Sequence, residues 1–66
     1  MKTLNKTISG YSVITDDTQN AAALADRIEA LGYSVSEIRW NRFTETATLL
    51  IVDNAHIGKE KLESLL

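Results

Sequence analysis

The clearest pattern in the chain is an apolar stripe at helical spacing in residues 21–31. Its apolar positions recur at intervals of three and four, and charged residues occupy positions off the stripe. The polar segment 16–18 (Asp-Asp-Thr) precedes the stripe and offers helix N-caps, and Gly32 follows it where a left-handed terminal residue is favoured. The pattern predicts one helix with a buried stripe made of Ala21, Leu24, Ala25, Ile28 and Leu31.

Residues 3–15 are rich in strand-favouring types, and Ser9-Gly10 interrupts them. Either one long strand carries a bulge at Gly10, or two short strands flank a turn there. We favour the single strand, because a tight hairpin prefers Asn-Gly or Asp-Gly to Ser-Gly.

Residues 33–53 predict two further strands. In the first, apolar positions change parity between Val35 and Ile38, which indicates a bulge near Ser36-Glu37. The second, 43–52, begins with alternation and ends in a continuous apolar run, which is typical of a central strand covered on both faces. Its alternation places Phe43 on one face with Ala47, Leu49 and Ile51. The short connection near Asn41-Arg42 predicts a hairpin.

A second helix is predicted over residues 57–66, after Asp53-Asn54 closes the last strand. The final Leu65-Leu66 indicates side chains that are buried in the core or against another subunit. The predicted order is β-α-β-β-α in the α+β class. It gives a three-stranded antiparallel sheet with two helices on one face, which resembles a ferredoxin-like domain lacking its last strand. The first strand then has an open edge that invites pairing, unless the segment before Gly10 folds back to fill it.

One family resemblance rests on three segments. Residues 44–53 resemble the third strand of heavy-metal-associated domains, which are small copper-chaperone modules. Residues 32–35 are placed like their segment after the first helix, and residues 8–11 resemble their approach to the metal loop. That loop carries two cysteines in the family, whereas residues 13–19 contain none here. The resemblance therefore implies the fold and none of the thiolate chemistry.

Composition predicts a single domain over residues 1–66 with no metal and no cofactor. The chain has no cysteine and one histidine, so it offers neither a disulfide nor the ligand set of a zinc site. Small domains without such supplements often associate, which points to a homodimer. The sequence shows no long apolar run for a membrane and no secretory signal, so a cytoplasmic location is expected. Its net charge of −2 argues against binding duplex nucleic acid.

No catalytic pattern stands out, and we predict that the chain is not an enzyme. His56 is suited to acid–base chemistry, but no nucleophile signature or glycine-rich phosphate loop accompanies it. An exposed loop histidine is the interpretation we favour. A carboxylate cluster of Asp16, Asp17 and Asp53 is not expected, because the predicted topology places Asp53 at the opposite end of the sheet from the other two.

The candidate partner-binding site is the hairpin tip, which we define as residues 39–43. It combines two of the chain's three arginines with two of its four aromatic residues: Arg39, Trp40, Arg42 and Phe43. Arginine and tryptophan are enriched among binding hot spots. They also stack on unpaired bases. The alternative is that Trp40 and Phe43 close one end of the core while both arginines are solvated.

These observations favour a small non-catalytic protein-binding module that acts as an inhibitor or adaptor through protein–protein contact. Short acidic chains of this kind resemble phage- or plasmid-encoded inhibitors, including anti-CRISPR-like proteins. Two alternatives stay open. The first is a nucleic-acid-binding module that uses the hairpin tip, and the second is a degenerate heavy-metal-associated domain without metal ligands.

Overall fold

The computed structural model describes residues 2–66, which form an α+β domain with a four-stranded antiparallel sheet and two α-helices. The elements are β1 (Lys2–Lys6), β2 (Gly10–Thr15), α1 (Ala21–Ala30), β3 (Ser34–Asn41), β4 (Thr46–Val52) and α2 (Glu60–Leu65). A short 3₁₀ turn, Thr18–Asn20, leads into α1. Neither helix of this described part is long and apolar enough to cross a membrane.

The strand order is β1-β2-β4-β3, and every neighbouring pair is antiparallel. In the central pair, Gly10 lies opposite Val52 and Thr15 lies opposite Ala47. Residues 16–17 therefore leave the sheet at one end and Asp53 leaves it at the other. The expected separation of these carboxylates is confirmed.

The prediction of three strands with a long bulged first strand is wrong. The chain reverses after β1, where the Thr7 N–H donates to the Gly10 carbonyl oxygen over 2.9 Å. The Gly10 N–H in turn donates to Thr7 Oγ1 over 3.1 Å. Neither Ile8 nor Ser9 has a positive φ, so the turn does not need the Asn-Gly chemistry on which the prediction rested. As a result β1 covers the edge of β2 that the three-strand sheet leaves open.

Both helices contribute to one core on one face of the sheet. The stripe predicted for α1 is confirmed, since four of its five side chains are buried and Leu31 packs against them. On the sheet, the alternation predicted for Ala47, Leu49 and Ile51 is also confirmed. The buried apolar residues are Tyr11, Val13, Ala21, Leu24, Ala25, Ile28, Tyr33, Ala47, Leu49, Ile51 and Leu62.

No helix of residues 2–66 lies on the opposite face of the sheet. Ile14, Leu50 and Val52 point to this face and are only half-buried there. The expectation that β4 is covered on both faces is therefore wrong, although β4 is central in the strand order. Its second set of apolar side chains packs among the threonines and serines of this open face, such as Ser12 and Thr48.

Three local predictions have different outcomes. The bulge in β3 is confirmed, because the register with β4 shifts between Val35 and Glu37. The predicted N-cap of α1 differs, since the Asp17 carboxylate accepts bonds from Asn20 Nδ2 at 2.9 and 3.2 Å and makes no side-chain cap to the backbone. The second helix begins at Glu60 instead of residue 57, because the preceding loop is held in another conformation by Asp53.

Candidate functional site: the β3–β4 hairpin tip

The hairpin loop is organised by its own backbone and side chains. Asn41 lies opposite Thr46 in the ladder, and residues 42–45 connect the two strands. Asn41 Oδ1 accepts hydrogen bonds from the N–H groups of Phe43 (3.0 Å) and Thr44 (3.2 Å). Glu45 then takes a left-handed conformation with φ of 55°, which turns the chain into β4. The loop therefore has a defined shape set by local contacts.

The two aromatic side chains at this tip are exposed. Trp40 is 59% exposed and Phe43 is 94% exposed. The alternative that they close one end of the core is therefore wrong. Phe43 also lies in the loop, outside the alternating strand to which the sequence pattern assigned it, because β4 begins only at Thr46.

The two arginines of the tip have different surroundings. Arg39 Nε lies 2.7 Å from Glu37 Oε2 on the same strand, and both side chains remain at least half exposed. Such a surface pair adds little to stability. Arg42 makes no ion pair within residues 2–66, so its guanidinium group is free to meet a ligand. Glu37, the ionic partner of Arg39, is not among the predicted site residues. Its spacing of two from Arg39 on one strand is the pattern that indicates the pair.

The four predicted side chains do meet in space. Arg39, Trp40, Arg42 and Phe43 border one shallow groove together with Asn41 and Thr48. On the other side of the tip, Trp40, Asn41 and Arg42 border a second groove with Asp16, Thr18, Glu45 and Thr46. The tip thus projects between two concave surfaces and presents aromatic and cationic groups to both.

The loop between β4 and α2 uses its polar groups for internal bonds. The Asp53 carboxylate accepts hydrogen bonds from the N–H groups of Ile57 (2.8 Å) and Gly58 (2.9 Å). Those bonds, Gly58 first, lower the pKa of Asp53. The Tyr33 hydroxyl donates to the Gly58 carbonyl oxygen, and burial raises the pKa of that hydroxyl. His56 lies exposed in this loop, as expected from the sequence.

No group of three or more His, Cys, Asp or Glu side chains in residues 2–66 is arranged to hold a metal ion. Comparison with known protein families, with curated proteins and with solved structures finds no match to this chain. Neither the ferredoxin-like arrangement nor the resemblance to heavy-metal-associated domains is supported by a match. The hairpin tip is therefore the feature of the molecule that points to a function.

Proposed function

We propose that this chain is a non-catalytic protein-binding module whose hairpin tip docks onto another protein. The observation that carries the proposal is the exposure of Phe43, 94%, at the end of a loop whose shape is fixed by hydrogen bonds. Phe43 projects into water, so covering its apolar ring with a partner surface lowers the free energy of the complex. Aromatic and arginine side chains together form the usual centre of a protein interface.

The preorganised loop supports this role. Asn41 and Glu45 fix the backbone on both sides of the ring, so binding does not have to order the loop. Because no entropy is lost in ordering the loop, more of the contact energy contributes to affinity. Arg42, which forms no ion pair among the described residues, adds a cation to the same groove, and this favours a partner surface that offers carboxylates or carbonyl oxygens.

The role we infer is that of an inhibitor or adaptor of the kind encoded by phages and plasmids. The support is the small size of the chain, its net charge of −2 and the projecting tip. We also infer a ferredoxin-like arrangement in which β1 occupies the sheet edge that the last strand takes in that fold. The strand order β1-β2-β4-β3 supports this inference.

The experiment compares two fully exposed apolar residues at opposite ends of the sheet. Phe43 is replaced in Phe43→Ser, and Ile8, at the tip of the β1–β2 turn, is replaced in Ile8→Ser as the matched control. Tagged proteins are used for affinity capture from lysate, followed by mass spectrometry. We expect the wild type and Ile8→Ser to retain the same stoichiometric partner and Phe43→Ser to lose it.

Two results would contradict the proposal. One is a partner retained equally by all three proteins, which would move the binding site away from the tip. The other is the absence of any stoichiometric partner in every lysate tested. Circular dichroism of each variant excludes unfolding as the cause of a loss.

A second candidate function is binding of single-stranded nucleic acid at the same tip. The observation in its favour is that the exposed Arg42 shares a groove with two exposed aromatic rings, on which bases can stack. The net negative charge weighs against it. Titration with single-stranded oligonucleotides at low salt would quench Trp40 fluorescence if bases stack there. An unchanged spectrum removes this candidate.

A further inference from the structure

The two outer strands of the sheet expose different edges. On β1, Lys2 and Lys6 lie near the two ends of the strand, and Lys6 Nζ is held 5.1 Å from the centre of the Tyr11 ring. If β1 paired antiparallel with a second copy of itself about Leu4, Lys2 would lie opposite Lys6 of that copy. Like charges placed directly opposite each other destabilise a strand pair. Like charges thus disfavour pairing of two β1 strands about Leu4.

The first part of the β3 edge is protected in another way. The bulge between Val35 and Glu37 disrupts the strand there. In addition, the Val35 N–H donates to Glu29 Oε2 of α1 over 3.4 Å. Beyond this point no element of residues 2–66 lies outside β3 in the sheet, so the edge of residues 37–41 is open.

The charged residues on the open part of β3 can pair with the same residues of a second copy. Glu37 and Arg39 lie on one face of the strand, on either side of the half-buried Ile38. In an antiparallel pair with a second copy about a two-fold axis at Ile38, each Glu37 lies opposite Arg39 of the other copy. An axis at residue 37 would instead oppose two glutamates, and an axis at residue 39 would oppose two arginines. Of these three registers, cross-strand electrostatics favour the one about Ile38.

We propose that β3 pairs with β3 of a second copy in this register, which joins two sheets into one of eight strands. The pairing satisfies backbone groups of residues 37–39 and brings the two Ile38 side chains together. It also provides the supplement that a small domain without disulfides needs. Arg39 and Trp40 of the hairpin tip lie within this ladder, and Arg42 and Phe43 lie beyond its end. The inference rests on the charges of Glu37 and Arg39 and does not depend on the proposed partner-binding function.

Charge reversal tests the register. In Glu37→Arg the opposed groups become two cations, and in Arg39→Glu they become two anions. We measure mass by light scattering and sedimentation at low ionic strength, up to about 1 mM protein. We expect the wild type to approach twice its monomer mass of 7.3 kDa, and each single variant to stay monomeric. An equimolar mixture of the two variants, and the double variant, should recover the dimer.

The control is Glu63→Arg, which makes the same change of charge on the exposed surface of α2 and should dimerise like the wild type. Circular dichroism checks that every variant is folded. A wild type that stays monomeric at about 1 mM overturns the proposal. Single variants that dimerise like the wild type, or a folded double variant that stays monomeric, also overturn it. These measurements use pure protein, so their failure is distinct from a failure of partner capture.

Discussion

At the scale of single residues, Gly10 and Asp53 join the β1–β2 turn to the end of β4. The Asp53 N–H donates to the Ser9 carbonyl oxygen over 3.2 Å. A Cβ atom on Gly10 would lie 2.2 Å from the carbonyl oxygen of Ile51 and 2.9 Å from the backbone nitrogen of Asp53. The backbones approach so closely that only glycine fits at this position.

Replacing Gly10 by alanine should therefore destabilise the protein. The added methyl group meets backbone atoms, which move only if the β2–β4 ladder is distorted, and overpacking of this kind costs about 1–3 kcal/mol. Urea denaturation followed by circular dichroism measures the change. Ser9→Ala is the control in the same exposed turn and should leave the free energy of unfolding nearly unchanged. Equal stabilities of Gly10→Ala and Ser9→Ala would contradict the close approach.

Asp53 gives a pH dependence with a defined sign. Its pKa is lowered in the folded protein by the N–H groups of Gly58 and Ile57. The unfolded chain therefore takes up a proton at higher pH than the folded chain, near the ordinary value of about 4. The ionised Asp53 carboxylate therefore stabilises the folded state fully above that pH. This stabilisation is lost as the pH falls through the lower pKa of the folded protein.

The test compares the wild type with Asp53→Asn, which keeps one acceptor oxygen and carries no charge. We expect the wild type to be the more stable at pH 7, with a difference in urea midpoint that shrinks as the pH is lowered from 5 to about 3. The other carboxylates titrate in both proteins and largely cancel in the difference. A difference that stays constant over this range would exclude the assigned role of the carboxylate.

At the scale of elements, the sequence pattern predicts a helix or strand where the residues of that segment alone determine it. The α1 stripe and the alternation of Ala47, Leu49 and Ile51 are read directly from spacing, because one covered face imposes its period on the sequence. The first hairpin could not be predicted this way. Its glycine serves contact with Ile51, which is remote in the chain, and its turn is closed by the side chain of Thr7.

The composition of the hairpin tip was predictable, since its four candidate residues are nearly contiguous in the chain. Their exposure was not, because the same apolar residues could have closed the core. The exposure of Phe43 depends on where β4 begins. Thr46 is the first paired residue of β4, so Phe43 lies in the loop. The pairing of Arg39 with Glu37, which separates its role from that of Arg42, depends on side-chain geometry that spacing only suggests.

Substitutions of Glu45 test the backbone conformation of the loop between β3 and β4. Its φ of 55° is unfavourable for a residue with a Cβ atom by about 1 kcal/mol, and glycine avoids this cost. Glu45→Gly should therefore raise the melting temperature. Glu45→Ala should leave it nearly unchanged, and the β-branched Glu45→Val should lower it. A Glu45→Gly protein that melts below Glu45→Ala would show that the loop has another conformation in solution.

At the scale of the whole molecule, the helices and the sheet enclose one core, and no helix of the described residues covers the other face of the sheet. Leu62 of α2 is fully buried in that core, whereas Leu50 of β4 lies half-buried on the open face. A domain of this size is stable by roughly 3–10 kcal/mol. The loss of one core side chain is therefore a large fraction of the total.

Replacing a leucine by alanine on each face of the sheet measures how much more the covered face contributes to stability. Leu62→Ala removes a fully enclosed side chain and should cost about 2–5 kcal/mol, a large part of the total stability. Leu50→Ala removes a side chain that is partly in water already and should cost about 1 kcal/mol. Edge pairing through β3 does not change this expectation, because it extends the sheet without covering its open face. Equal costs in urea denaturation would mean that the open face is covered in solution.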